Sequence, residues 1–314
     1  MSDDHKSEIA ARAAWLYFIA GNTQEEIATK LQVSRPTAQR LVSLALAQRL
    51  VTFRFEHQVS ACMELSEALL ERFGLKYCNV VPSDPKDTDS TAGVATSAAT
   101  FIEQMLSGQT PVVMAVGTGR TLRAAVRQIQ PMQAPHQTLV GLVGNVAPDG
   151  SASFFDVLGR LADRVNAPHY PLPLPVLADT DEQRDVLISL RVVENAHALA
   201  RRADVTLVGI GQMDMDAPQF VDGFISRDEL LQQIKMGAVG EITGWSFDIE
   251  GRVLEGGVNA RLTSAPLKGA GRGFVVGVAI GEKKEKSIIS ALRGQLINSL
   301  ITDEFTANRI LAAT

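Results

Sequence analysis

Cysteine is scarce in this sequence: Cys62 and Cys78 are the only two in 314 residues, which points to a reducing compartment rather than a disulfide framework. Five scattered histidines show no metal-ligand spacing, so no structural zinc is expected. Uninterrupted apolar runs approaching the ~18 residues of a membrane span are missing, and the polar, acidic opening MSDDHKSE does not read as a signal peptide. A basic excess is missing too. Thirty Lys and Arg against 35 Asp and Glu give a formal net charge of −5, so any contact with a polyanion has to come from a local patch. What remains, 46% apolar and 21% charged, describes a globular protein with ample core, expected in the cytoplasm without metal or cofactor.

The local patch lies near the N-terminus. Residues 21–51 read GNTQEEIATKLQVSRPTAQRLVSLALAQRLV, the internal order of a helix-turn-helix. Thr23 followed by Glu26 is a capping box, and Ile27, Ala28 and Leu31 follow on one helical face. Ser34 offers a second cap, and Pro36 is tolerated in the turn after it. Leu41, Val42, Leu44 and Ala45 continue the second helix as an apolar stripe. Ser34, Arg35, Thr37, Gln39 and Arg40, at the start of that helix, suit base edges and phosphates. Between Gln32 and Phe55 stand Arg35, Arg40, Arg49 and Arg54 and no acidic residue, the charge pattern that separates a DNA reader from an ordinary helix pair. A preceding helix over 9–20, with Ala13, Leu16, Tyr17 and Ala20 on one face, and an alternating stretch at Val51, Phe53 and Phe55 predict a three-helix head with a wing, ending near residue 58.

From residue 59 the pattern changes. Helical spacing over 62–73 ends at Gly74 and reads as a connector helix in which Cys62 and Met63 serve as packing. Beyond it, strand-length apolar runs at 78–81, 112–116, 138–143, 205–210, 274–280 and 296–302 alternate with helical patterns at 94–106, 121–130, 153–166, 191–202 and 285–292. Such alternation predicts an α/β body over 59–314 with a parallel sheet covered on both faces and ligands held at the carboxyl edge. The Pro-rich run 168–175 is expected to be irregular or an edge strand. Val116-Gly117-Thr118-Gly119-Arg120-Thr121-Leu122 falls between strand and helix, where small residues let the backbone approach an anion and a helix start presents free N–H groups. It is neither the dinucleotide fingerprint nor the phosphate loop ending in Gly-Lys-Ser/Thr, and a bare glycine turn stays open as the plain alternative.

These motifs together resemble the SorC family of bacterial sugar-responsive transcriptional regulators. The likeness is carried by TQEEIA…SR…RL in the head, GTGRTL at 117–122, LVGIG at 207–211, GAVGEITGWSFDIEG at 237–251 and KSIISALRGQLINSLITDEFTAN at 286–308. It implies an effector domain similar in fold to sugar-phosphate isomerases and deaminases. It also implies a homo-oligomer, commonly a tetramer, that binds operator DNA and a sugar, polyol or sugar phosphate and has no membrane partner. In the loop itself Thr118 and Thr121 offer hydroxyl donors and Arg120 a bidentate partner for phosphate. Matched residue by residue, the resemblance places Gly117, Gly119 and Thr121 in a ligand loop, Glu241 on effector hydroxyls and Lys286 on an anionic group. The chain departs from the pattern at Ala47-Gln48-Arg49-Leu50, where relatives carry a glycine, and at Arg120, which either favours a phosphorylated effector or fills the pocket for a neutral one. An isomerase or deaminase with a DNA-binding head would need a general acid or base, for which Asp149 and Asp156 are nominees and the isolated His136 and His169 are not. A purely structural DNA-associated oligomer would leave the glycine-threonine loop without a ligand.

Overall fold

Each helix of the N-terminal region starts or stops where its backbone donors find a partner. In this computed structural model, which describes residues 3–48, 50–51, 59–147, 150–151, 157–267 and 273–314, the chain forms two compact units, Met1–His57 and Gln58–Thr314. In the first unit α1 spans Asp3–Phe18, α2 Gln24–Lys30 and α3 Arg35–Ala47. The capping box at α2 is complete: Thr23 Oγ1 accepts the Glu26 N–H at 3.3 Å, and Glu26 Oε2 accepts the Thr23 N–H at 2.7 Å. Ser34 caps α3 by accepting the Thr37 N–H, and Pro36 sits in the first turn. Small residues allow close packing, with Ala10, Ala13 and Ala14 of α1 buried against Ile27 and Ala28 and against Ala38, Leu41, Val42 and Ala45. Tyr17 and Ala20 depart from the expected face. The helix ends at Phe18, and both side chains are exposed. The wing expected from Val51, Phe53 and Phe55 lies, beyond Val51, outside the described residues.

In the second unit α4, Ser60–Phe73, stops at Gly74, whose φ of +61° closes the helix in the left-handed conformation that glycine adopts without strain. It packs on the first strand and the last helix; Cys62 is buried there, whereas Met63 is exposed rather than packed.

The strands are β1 Tyr77–Val81, β2 Val113–Val116, β3 Thr138–Val146, β4 His169–Pro175, β5 Val205–Gly209, β6 Gly211–Gln212, β7 Gly240–Ile242, β8 Trp245–Phe247, β9 Phe274–Val278 and β10 Ser299–Asp303. Seven of them form one parallel sheet in the order β1-β10-β9-β5-β2-β3-β4. The Pro-rich segment is its edge strand β4, a position where missing N–H donors cost nothing. Helices α5 Ala92–Leu106, α6 Arg120–Gln128 and α7 Leu158–Val165 cover one face. Along β2, Met114 and Val116 join their core while Ala115 joins the core on the other face. That other face is closed by α4, by α9 (Arg191–Arg201, preceded by α8, Asp181–Ile188), and by α12 Glu285–Arg293 and α13 Glu304–Ala312.

The three short strands β6, β7 and β8 make a separate antiparallel sheet that the sequence reading did not foresee. Between β6 and β7 run α10, Pro218–Val221, and α11, Arg227–Lys235. From the adjacent strands β2 and β5 the chain leaves in opposite directions, toward β3 and toward β9, which opens a crevice at their carboxyl ends.

Substituting Thr23→Ala removes the acceptor for an orphan donor at the start of α2 and is expected to destabilise the head by about 1 kcal/mol. Hydrogen exchange should quicken at residues 24–42 and stay unchanged in β2 and β5.

Candidate functional site

Two sites emerge, one in each unit. In the head, α3 turns Ala38, Leu41, Val42 and Ala45 inward, and helical periodicity then leaves Arg35, Gln39 and Arg40 exposed on the opposite side. Ser34 and Thr37 flank them with hydroxyls 2.8 Å apart. Arg35 has Glu25 as its neighbour at 3.7 Å, with both side chains largely in solvent. A pair so exposed contributes little, so the guanidinium is readily surrendered to a stronger anion. All five residues singled out in the sequence thus share the N-terminal end of one exposed helix face.

In the body, the crevice at the carboxyl ends of β2 and β5 is a cavity of about 140 Å³, on the scale of one small molecule. Thr118, Gly119, Arg120 and Thr121 line it on one side, Gly209 and Gly211 form its base, and Gln219, Asp222, Glu241, Thr243 and Lys284 complete it. Gly117 continues the sheet ladder by donating its N–H to Leu207 O at 2.8 Å. A Cβ there would come within 3.1 Å of the Thr243 methyl and 3.3 Å of Leu207 O, so only glycine passes without displacing a neighbour. Gly119, at φ +127°, is the N-cap of α6 and supplies no capping side chain. The start of that nine-residue helix therefore borders the cavity with the positive end of its dipole.

Glu241 on β7 faces this cationic side. One carboxylate oxygen accepts the Gly244 N–H at 2.8 Å. Burial pushes its carboxyl above the ordinary range, opposed by that N–H and by the ammonium of Lys284. Lys284 closes the short turn before α12, and burial lowers its pKa while Glu241 holds it up. A carboxylate and an ammonium thus share one partly desolvated chamber. Arg120, by contrast, donates to Asp222 Oδ1 at 2.6 Å, tying the start of α6 to the segment after α10. Gly211 is fixed by the same arrangement, because a Cβ there would collide with the Glu241 carboxylate.

Of the body residues named from the sequence, Thr118, Gly119, Arg120, Thr121 and Glu241 meet at the cavity, with Gly117 directly behind it. Lys286 does not. Ser287, Ile288, Ile289, Ala291 and Leu292 fill the inner face of α12, which turns Lys286 to solvent and leaves Lys284, two residues earlier, in the cavity wall. Sequence reasoning passed over Lys284 because the run Lys283–Lys286 has the look of a solvated cluster. It also passed over Thr243, Gln219 and Asp222. His136 and His169 are exposed and absent from the lining, while Asp149 and Asp156 fall outside the described residues. Among the described residues no cluster of His, Cys, Asp and Glu could hold a metal ion, and no helix is long and apolar enough to cross a membrane.

Comparison with known proteins places these two sites in context. The profile of the family described as "Putative sugar-binding domain" matches residues 57–312. The erythritol catabolism regulatory protein EryD of Brucella abortus is 32% identical over 308 residues, covering 98% of both chains. The transcriptional regulator LsrR of Klebsiella pneumoniae is 31% identical, covering 98% of this chain and 94% of its own. Among solved structures, the full-length sorbitol operon regulator SorC from Klebsiella pneumoniae superposes with a TM-score of 0.71 at 25% identity, covering 99% of this chain and all of that one.

The pKa direction of Glu241 has a testable sign. A carboxyl whose folded pKa lies above its ordinary 4.5 makes the folded state less stable as pH rises from the unfolded toward the folded value, and the penalty persists above it. Glu241→Gln does not titrate and keeps an acceptor for Gly244. The difference in melting temperature between the ligand-free variant and the parent should shift in the variant's favour as pH rises from 4.5 to 7. Parallel melting curves at all pH values would contradict the assignment.

Proposed function

The chain belongs to the SorC family of sugar-responsive transcriptional regulators, and we propose that its operator affinity is set by a sugar, polyol or sugar phosphate held at the carboxyl edge of the body's sheet. The observation that carries this reading is the chemistry of the cavity wall, where the start of α6, the Lys284 ammonium and the Glu241 carboxylate line one chamber. The positive end of a helix dipole and a partly desolvated ammonium suit an anionic group, while a carboxylate accepts hydrogen bonds from hydroxyls. Arg120 is engaged by Asp222, so Lys284 replaces Lys286 as the cation offered to a phosphate, and Arg120 serves to hold the rim. EryD and SorC are named for erythritol and sorbitol, which makes linear polyols and their terminal phosphates the first compounds to examine.

Regulation follows if effector affinity differs between operator-binding and other arrangements of the protein. The head reads DNA through Ser34, Arg35, Thr37, Gln39 and Arg40 on α3, placed in a major groove. Paired half-sites call for a homo-oligomer, and a tetramer is the assembly the family resemblance implies. Val186, Leu190 and Val192, exposed around α8 and the start of α9, offer apolar surface for such association. The protein acts in the cytoplasm, where operator DNA is found.

The cavity is read as a binder and not as a catalyst. Relatives are named as regulators, and among the described residues the lining holds Glu241 and the ion-paired Asp222 without a histidine to share a proton. Turnover of ribose 5-phosphate or glucosamine 6-phosphate by the purified protein would overturn that part of the reading.

Two substitutions probe the sites separately. Arg40→Ala should weaken operator binding about tenfold in gel-shift titrations and leave effector affinity unchanged, as expected for loss of a charged contact. Lys284→Met should weaken binding of polyol phosphates at least tenfold in calorimetric titrations while sparing the neutral polyols. Arg120→Ala should have the smaller effect of the two; a reversed ranking would return the phosphate to Arg120.

A further inference from the structure

The turn between β7 and β8 is built from an unfavourable residue. Ile242 pairs with Trp245, so the loop is Thr243-Gly244 alone, and both residues have positive φ, +50° and +94°. A two-residue hairpin loop of this kind is the type I′ pattern, whose first position favours Asn, Asp or Gly. A β-branched residue there is strained, at a cost on the order of 1–3 kcal/mol. Nothing in the hairpin itself calls for it.

The surroundings of Thr243 do. It lines the cavity with 8% of its surface exposed, and its Oγ1 is buried without a hydrogen-bond partner among the described residues. Its methyl group packs toward Gly117, behind the ligand loop. The rest of the turn is committed: the Gly244 N–H goes to Glu241 and its carbonyl accepts Gln219 Nε2 at 2.9 Å. Because that carbonyl can only accept, the Gln219 amide is oriented by chemistry, which leaves Oε1 inward, buried and also unpartnered. Two orphan oxygens therefore flank the turn, on residues that line the same cavity as the Glu241 carboxylate. All three side chains can accept hydrogen bonds, the complement of a run of hydroxyl donors.

We infer that Thr243 and Gln219, held by the strained Thr243–Gly244 turn, form a hydroxyl-reading subsite that selects effectors by their vicinal hydroxyl groups. This rests on the cavity being the effector site, and it goes further in naming which wall reads the carbon skeleton. The strain and the orphan oxygens are offset when hydroxyls complete the network, so the subsite is less stable alone than occupied. A purely structural threonine would do the reverse.

The test uses the full chain and a panel of erythritol, xylitol, sorbitol and their terminal phosphates. Affinities come from calorimetric titration, and ligand-free stability from thermal melting, for the parent, Thr243→Ser, Thr243→Val and Thr243→Gly. Serine should keep the parent affinity. Valine and glycine should weaken it about three- to tenfold, the worth of one hydrogen bond. Glycine should also melt at or above the parent temperature without ligand, because the turn is relieved of strain. A deoxy analogue lacking the hydroxyl read by Thr243 should bind the parent and Thr243→Val alike. Equal affinity of parent and valine variant for every full polyol would overturn the subsite while leaving the cavity as the effector site. A glycine variant that loses affinity and melts lower would make the residue structural and overturn it as well. Failure of every panel member to bind the parent would overturn both readings.

Discussion

A carboxylate and an ammonium that share the lining of one small, partly desolvated cavity set the terms for the body of this protein. Among the described residues Glu241 has one backbone N–H to hold it, and Lys284 has burial working against its charge. Neither group is comfortable without further partners, because low-dielectric surroundings make an incompletely paired charge costly. The neighbouring geometry is arranged around that pair. Gly211 has no side chain because Glu241 occupies the space, and Gly117 has none because Thr243 and Leu207 press against it. The N-terminal end of α6 lines the same chamber. A small molecule with hydroxyls at one end and negative charge at the other would satisfy all of these at once.

The parallel sheet explains why the chamber lies where it does. The chain leaves β2 and β5 in opposite directions, and the gap at their carboxyl ends is then roofed by the small β6–β7–β8 sheet and by the segment around α10. That roof packs through Ile242 and Phe247 into the apolar core, and specific polar ties, Arg120 to Asp222 and Gln219 to Gly244, fasten its rim over the cavity. Polar ties of this kind can rearrange when a ligand competes for the same atoms. A binding event is thereby given mechanical consequences within the body, and population shift is the physical route by which such consequences reach a DNA-reading unit.

Much of this organisation was legible in the chain. Caps at Thr23 and Ser34 marked α2 and α3, because capping chemistry is local and needs nothing from the rest of the fold. Apolar runs marked β1, β2, β3, β5, β9 and β10, since strands buried on both faces are continuous in character. The short strands β6, β7 and β8 escaped because two or three residues cannot display a period. Lys284 escaped for a different reason. Its burial is a property of the turn before α12, and one-dimensional context displays only a run of charges in which Lys286 was the match. Thr243-Gly244 was quoted only as part of a motif; its signal was a turn pair between alternating apolar residues, with threonine where asparagine is the usual occupant.

The central claim is that the cavity and the α3 face are linked through one equilibrium. Linkage demands reciprocity, so the decisive measurement takes the polyol or polyol phosphate that binds best and determines its affinity with and without saturating operator, alongside operator affinity with and without saturating compound. The account predicts that both affinities change by the same factor, on the order of 5–150-fold. Tight binding of each partner with no effect on the other would contradict it.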